Sequence, residues 1–193
     1  MQFKTLAAQL AVVGLASALP QPSATQSATP VATPSAFSIL TLRSGSDIHF
    51  NNFNAALSSI FLQLPKSNAT CDAESDGAAT FYLKDGELHL YSTENPPQKL
   101  YADRSGMGQG KLGYVTGAQP APRNGELTGW GLDESGNLNL NGAGFLACPN
   151  SIEDSWSVWV NAGVSEPAGN SGCLGFSARA VEVTEPNSCL YTQ

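Results

Sequence analysis

Apolar and polar residues alternate over most of this chain, and Gly, Asn, Asp and Pro interrupt the alternation at short intervals. Short strands joined by tight turns produce that pattern. Phe37-Ser-Ile39-Leu40-Thr-Leu42 reads as a strand, Ser44-Gly45-Ser46-Asp47 as a turn and Ile48-His49-Phe50 as the return strand. Thr80-Phe-Tyr-Leu83 and Leu88-His89-Leu90-Tyr91 flank Lys84-Asp85-Gly86-Glu87, where Asp-Gly supplies a two-residue hairpin turn. Lys99-Leu100-Tyr101-Ala102 adds a strand. Gly129-Trp130-Gly-Leu132 and Asn137-Leu138-Asn-Leu140 repeat the hairpin about Asp133-Glu134-Ser135-Gly136. Gly144–Cys148, Trp156–Val160 and Phe176–Val183 continue the series. One stretch departs from it. Phe53, Leu57, Ile60, Phe61 and Leu64 fall at helical spacing, which predicts a short helix capped by Asn51 or Asn52 and ended before Pro65.

The predicted fold is all-β, with at most that one helix. Strand, Gly-containing turn and strand recur from Phe37, Thr80 and Thr128, at spacings of about 43 and 48 residues. Three such units favour a single β-trefoil-like barrel over a generic β-sandwich. His89 alternates with Leu88 and Leu90 and is expected to project from the opposite face, toward solvent. Trp156 and Trp159 differ by three and are expected on opposite faces, one in the core.

Between the hairpins lies Asp103–Asn124, rich in Gly and Pro, with three cations and one acid in a chain that is otherwise acidic. It is expected to be a long, shaped surface segment on a β scaffold, and the first place to look for a binding site. Gly108-Gln-Gly110-Lys-Leu-Gly113 fits a dinucleotide fingerprint by letter only. Tyr114, Val115 and Thr116 favour a strand where that motif needs a helix, and Leu112 stands where a phosphate loop needs Ser or Thr.

The first residues lead to the expectation that the chain is exported. Lys4, the apolar run Leu6–Leu15 and Ala16-Ser17-Ala18 read as a secretory signal over residues 1–18. The run is too short to span a bilayer, and the C-terminus has no hydrophobic tail for a lipid anchor. Residues 19–35, built of Pro, Ser, Thr, Ala and Gln without charge, read as a spacer carrying candidate O-glycosylation sites. Residues 36–193 are one domain's worth of chain. The formal charge of −7 becomes −8 once Lys4 leaves with the signal. From Glu126 onward there are eight acids against Arg179 alone, which argues against nucleic acid or an anionic membrane as partner.

Four cysteines, Cys71, Cys148, Cys173 and Cys189, imply two disulfides in an exported chain. Three pairings are open, and the nested one, Cys148–Cys173 with Cys71–Cys189, is favoured. No C-x₂-C pair or His cluster exists to build a zinc site, and no cofactor or metal is expected. Asn68-Ala-Thr70 is the only N-glycosylation sequon and places Asn68 at the surface.

Catalytic constellations are weak. Asp85 with Glu87, Asp133 with Glu134 and Glu153 with Asp154 are local carboxylate pairs of the kind a glycosidase needs, but all fall in turns. His49, His89, Glu87 and Arg104 are the parts of a metal-free nuclease, and no Ser sits in a G-x-S-x-G elbow. Carbohydrate binding suits the chain better, because sugars stack on exposed rings. Trp130, Trp156, Trp159, Tyr91, Tyr101 and Tyr114 are the candidates. Tyr101, Arg104, Lys111, Tyr114 and Trp130 are the expected ligand-binding residues, grouped on and beside the glycine segment.

Asp103-Arg-Ser-Gly-Met-Gly-Gln-Gly-Lys-Leu-Gly-Tyr114, Thr116-Gly-Ala-Gln-Pro-Ala-Pro122 and Ala147-Cys-Pro-Asn-Ser-Ile152 closely resemble the phiA-type cell-wall proteins of filamentous ascomycetes, from about Phe37 to the C-terminus. The resemblance implies a non-enzymatic, secreted wall protein needed for phialide development, conidiation and asexual sporulation, in a family some of whose members are allergens. Wall polysaccharide or other wall proteins are the implied partners. The spacer, residues 19–35, is longer than the family pattern. Lys84-Asp85-Gly86-x-Leu88, Gly129-Trp130, Gly136-Asn137-Leu138-x-Leu140, Phe145 before Cys148 and the order of the cysteines are more distantly similar to the C-terminal domain of yeast Pir-type wall proteins. The Gln-rich repeats by which those proteins join β-1,3-glucan are absent here. A secreted hydrolase using an Asp/Glu pair and a soluble effector are the competing classes. Nothing in the pattern sets the oligomeric state.

Overall fold

The computed structural model describes Thr33 and residues 35–193; the expected signal, and the spacer apart from Thr33 and Ser35, lie outside the described residues. The described chain is all-β. Its strands are β1 (Phe37–Leu42), β2 (Phe53–Ala56), β3 (Ser59–Leu62), β4 (Thr70–Cys71), β5 (Thr80–Lys84), β6 (Glu87–Leu90) and β7 (Gln98–Asp103). They continue as β8 (Lys111–Thr116), β9 (Trp130–Leu132), β10 (Asn137–Leu140), β11 (Phe145–Cys148), β12 (Trp156–Val160), β13 (Leu174–Glu182) and β14 (Cys189–Leu190). Hydrogen bonding runs β1-β5-β6-β7-β8-β3-β12-β11-β13 and returns to β1, closing a nine-stranded antiparallel barrel. Closure leaves the ring itself without free edges of the kind that invite aggregation.

Alternation sorts the side chains as expected. Phe37 and Ile39 of β1, Leu88 and Leu90 of β6, Leu100 and Ala102 of β7, and Val158 and Val160 of β12 are buried in one core. Phe53 meets Phe81, Phe145 and Phe176 edge-on, with ring centres 6.0–6.2 Å apart. Burying each ring contributes about 1.5–3 kcal/mol. A second apolar cluster, Leu146, Cys148 and Trp159 with Cys173, is built from the alternate positions of β11 and β12, outside the barrel.

Asp85 and Gly86 take φ of 53° and 77°, as a tight two-residue hairpin turn requires. Elsewhere the expected units divide. The β5–β6 hairpin forms part of the ring. The β9–β10 hairpin hangs from β13 through Asn137↔Arg179 and Leu138↔Ala178. Ile48–Phe50 is not the expected return strand but a run of turns. There Phe50 N donates to Thr41 O at 2.8 Å, and β1 spends its ladder on β13 over six residues. The three units therefore take unequal places in the barrel.

The expected helix over Phe53–Leu64 is instead the hairpin β2–β3, in register Phe53↔Leu62 through Ala56↔Ser59. Its turn residues, Leu57 and Ser58, have φ of 49° and 53°, which neither side chain advertises. The C-terminus supplies the reason: Leu57 N donates to Thr192 Oγ1, and Ser58 N to Thr192 O, both at 3.1 Å. Disulfides join Cys71 to Cys189 and Cys148 to Cys173. The first clamps the small β4–β14 sheet, Cys189 lying opposite Cys71. Among the described residues no helix is long and apolar enough to cross a membrane.

A cleft on the outer wall of the barrel

The glycine segment divides into a loop, a strand and a return. Asp103 Oδ1 accepts from Ser105 N at 3.0 Å, Gly108 N donates to Ser105 Oγ at 3.2 Å, and Gly110 N donates to Asp103 O at 2.8 Å. Gln109 Oε1 accepts from Ala168 N at 2.7 Å. The loop is thus fixed at both ends and tied across to a neighbour. Its continuation, Lys111–Thr116, is β8, a wall strand of the barrel rather than surface loop. The alternation of Leu112 and Tyr114 buries that half. The chain then returns past β7, where Glu126 exchanges two backbone hydrogen bonds with Ala102.

Between loop and wall lies a cleft of about 330 Å³ lined by Tyr101, Asp103, Met107, Lys111, Pro122 and Trp159, among others. Asp103 stands opposite Lys111 on β8, and Lys111 opposite Trp159 on β12, so the three form one cross-strand row. Tyr101, two residues before Asp103, shares its face. Its ring lies over Gly113, where an added Cβ would meet Tyr101 Cζ at 2.9 Å and Ser58 O at 2.8 Å. Only a glycine leaves room for the ring there. Lys111 Nζ sits 5.5 Å from the centre of the Trp159 ring and donates to Ser59 Oγ at 3.1 Å. Trp159, 7% exposed, is fixed by donation from Nε1 to Ser157 Oγ at 2.9 Å. Burial lowers the proton affinity of Lys111, and burial together with the Asp103 charge raises that of Tyr101. Met107 at the loop tip is 93% exposed.

A second row crosses the same face of β7. Tyr82, His89 and Lys99 are cross-strand neighbours on β5, β6 and β7. Glu87 receives Lys99 Nζ at 3.0 Å and lies 3.1 Å from His89 Nε2, and the Tyr82 and His89 rings stack at 4.8 Å. His89 is 4% exposed and its Nδ1 has no partner, so the expected solvent-facing histidine is a buried one, covered by its stacked neighbour. Desolvation pushes its pKa down, and the Lys99 hydrogen bond holds the Glu87 carboxyl below the usual range.

Three of the five expected ligand residues come together near the loop, and two do not. Tyr101 and Lys111 line the cleft. Arg104 lies beside it, occupied by Glu126 through hydrogen bonds of 2.8 and 2.6 Å that depress the Glu126 pKa. Tyr114 points into the barrel, 1% exposed, with its hydroxyl donating to Thr192 O and its pKa raised by burial. Trp130, 4% exposed, stacks on Phe145 at 6.5 Å inside the core. Neither ring lines the cleft. Trp159 lines it instead, and Trp156 packs toward the core, as the three-residue spacing between them required. Asp103 and Met107 were legible only as parts of the segment. Asn68 is exposed.

A closed, disulfide-stapled barrel with an aromatic cleft on its outer wall has the geometry of a binding or structural module. Residues 37–192 match the family described as PhiA-like secreted protein, and this chain belongs to that family. It is 53% identical over 157 residues to Cell wall protein phiA of Aspergillus fumigatus, a match covering 81% of this chain and 85% of that one. To Cell wall protein phiA of Aspergillus niger it is 48% identical over 192 residues, covering 100% of this chain and 99% of the relative. With that of Emericella nidulans the identity is 49% over 161 residues, 83% and 88% of the two chains. No solved structure gives a significant match. The protein is a secreted, cell-wall protein.

Proposed function

We propose that this chain is a non-enzymatic component of the fungal wall that associates with wall polysaccharide, or with other wall proteins, through the cleft beside Tyr101 and Lys111. By resemblance to its family, that association serves phialide development, conidiation and asexual sporulation. In this reading residues 1–18 export the chain, residues 19–35 space it from its surroundings, and residues 36–193 form the wall domain. Asn68, exposed in its sequon, carries the N-linked glycan. The observation that carries the reading is the row Asp103–Lys111–Trp159 with Tyr101 beside it, an aromatic and hydrogen-bonding surface held on a rigid wall.

The carboxylates argue for binding rather than hydrolysis. A glycosidase acid needs its pKa raised, whereas Glu87, Glu126 and Asp133 are all held low. Asp133 spends its carboxylate on Ser135 N and Asn137 N within its own turn.

Sequential extraction of purified walls tests the proposal. Hot detergent comes first, then detergent with reductant, then β-glucanase, with the culture medium probed in parallel. Release from the wall at any step is the expected result, and the step names the attachment. Protein found in the medium alone overturns the proposal.

A further inference from the structure

The cleft carries two unlike charges that do not neutralise each other. Among the described residues the ion pairs are His89–Glu87, Lys99–Glu87 and Arg104–Glu126. Asp103 and Lys111, although directly opposite across β7 and β8, are not among them. Lys111 is drawn instead toward Trp159 and Ser59. Asp103 gives Oδ1 to Ser105 N and keeps acceptor capacity on the same carboxylate. Met107 and Pro122 add apolar lining from the loop side, and Trp159, 7% exposed, lines the wall under Lys111.

This combination sorts ligands by chemistry. An anionic sugar reaching Lys111 meets the Asp103 carboxylate one strand away, and a free amino sugar reaching Asp103 meets the Lys111 ammonium; each suffers like-charge repulsion. A sugar bearing only hydroxyls can bond Asp103 and Lys111 but has no apolar group for the lining, and a hydroxyl buried there unpaired is costly. A secondary amide with a methyl group satisfies all three features. Its carbonyl accepts from Lys111 Nζ, its N–H donates to the Asp103 carboxylate, and its methyl packs against Met107 and Pro122. The pyranose ring then lies beside Tyr101. A volume of about 330 Å³ falls at the small end of ligand sites and suits a short stretch of such a chain.

We infer that the Tyr101–Asp103–Lys111–Trp159 cleft recognises the acetamido group of a polymer of N-acetylated amino sugar. The inference rests on the polysaccharide reading above and names its substrate class.

Titration of the full mature protein, followed by calorimetry, decides it. The probes are the β-1,4-linked hexamer of N-acetylglucosamine, its fully deacetylated counterpart and a β-1,3-linked glucose hexamer. The N-acetylated hexamer is expected to bind at least about tenfold more tightly than either, the scale of one lost charge-assisted hydrogen bond. Asp103→Asn keeps a carbonyl oxygen for Ser105 N but replaces an acceptor with a donor. It is expected to weaken binding about tenfold with an unchanged melting temperature, while Glu87→Gln leaves affinity as it was. Equal affinity for the glucose hexamer, or an Asp103→Asn variant that binds like the parent, overturns the inference. Tyr101-dependent binding of the glucose hexamer would overturn the acetamido assignment and leave the polysaccharide reading standing. Failure to bind either hexamer or isolated wall polysaccharide overturns both.

Discussion

Two rows of side chains cross β7 on the same face, one through Lys99 and one through Asp103, and Tyr101 stands between them. Lys99, His89 and Tyr82 run one way across the barrel wall, and Asp103, Lys111 and Trp159 the other. Each row holds an aromatic ring and a cation, with an acid at hand. In the first, Glu87 takes both Lys99 and His89, and the Tyr82 ring covers the imidazole. Its charged groups are paired within the row, while His89 Nδ1 has no partner. In the second, acid and cation face each other without an ion pair, and a loop holds a cleft open above them. Residue types therefore do not separate a self-satisfied cluster from the one proposed to bind. What separates them is whether the charges are already spent.

Breaking the scaffold common to both rows has the largest expected effect. Replacing Cys71 and Cys189 by Ser opens a link between residues 118 apart, which costs about 5 kcal/mol in the loop-entropy account. Thermal unfolding checks it, and both rows are lost together. Gly110→Ala strikes the open row alone. Gly110 has φ of +97°, and a Cβ there would lie 1.9 Å from Val160 O. A loss of about 4 kcal/mol, from positive-φ strain and a backbone clash, is expected by thermal melt.

The closed row answers to pH. His89 has its pKa lowered by burial, so the folded state resists a proton that the unfolded chain accepts. Its contribution is complete above the ordinary value of 6.5 and is lost as pH falls through and below it. Glu87, also lowered, adds stability present above 4.5 that is lost as pH falls toward its folded pKa. Melting temperature is thus expected to fall from about pH 6.5 downward, and His89→Gln to flatten the upper part of that fall. Glu87→Gln is expected to cost about 1 kcal/mol at neutral pH, since the Lys99 pair is partly exposed. The smallest effect belongs to the open row. Lys111→Met keeps the stem over Trp159 and is expected to change stability by less than about 0.5 kcal/mol while removing ligand binding.

Much of this barrel was legible in alternation. Leu88 and Leu90 against His89, and Trp156 against Trp159, were assigned to opposite faces from parity alone, and Asp85-Gly86 named its own turn. The misses share a cause. Leu57-Ser58 turns at positive φ because Thr192, 134 residues on from Ser58, holds it there, and no local signal carries that contact. Tyr114 and Trp130 are expected ligand-binding residues because one lies on the glycine-rich segment and the other beside it. Tyr114 has the parity of Leu112, and that parity sends both inward. His89 was sent to the outer face correctly, but its burial depends on Tyr82 across the hairpin. Parity gives the face, and only neighbours decide exposure. The cleft was half legible: Tyr101 and Lys111 were named, but Trp159 enters through the pairing of β12 with β8, which is set by the closure of the whole ring.

One binding assay sets the two rows against each other. Purified parent protein, a Tyr101→Ser/Lys111→Met double variant and Glu87→Gln are incubated with protein-stripped walls, and the bound fraction is measured beside the melting temperature of each. The double variant is expected to melt near the parent but wash off the wall, whereas Glu87→Gln melts lower and stays bound. Equal retention of all three, or loss of wall binding in Glu87→Gln alone, would contradict the proposed difference between the rows.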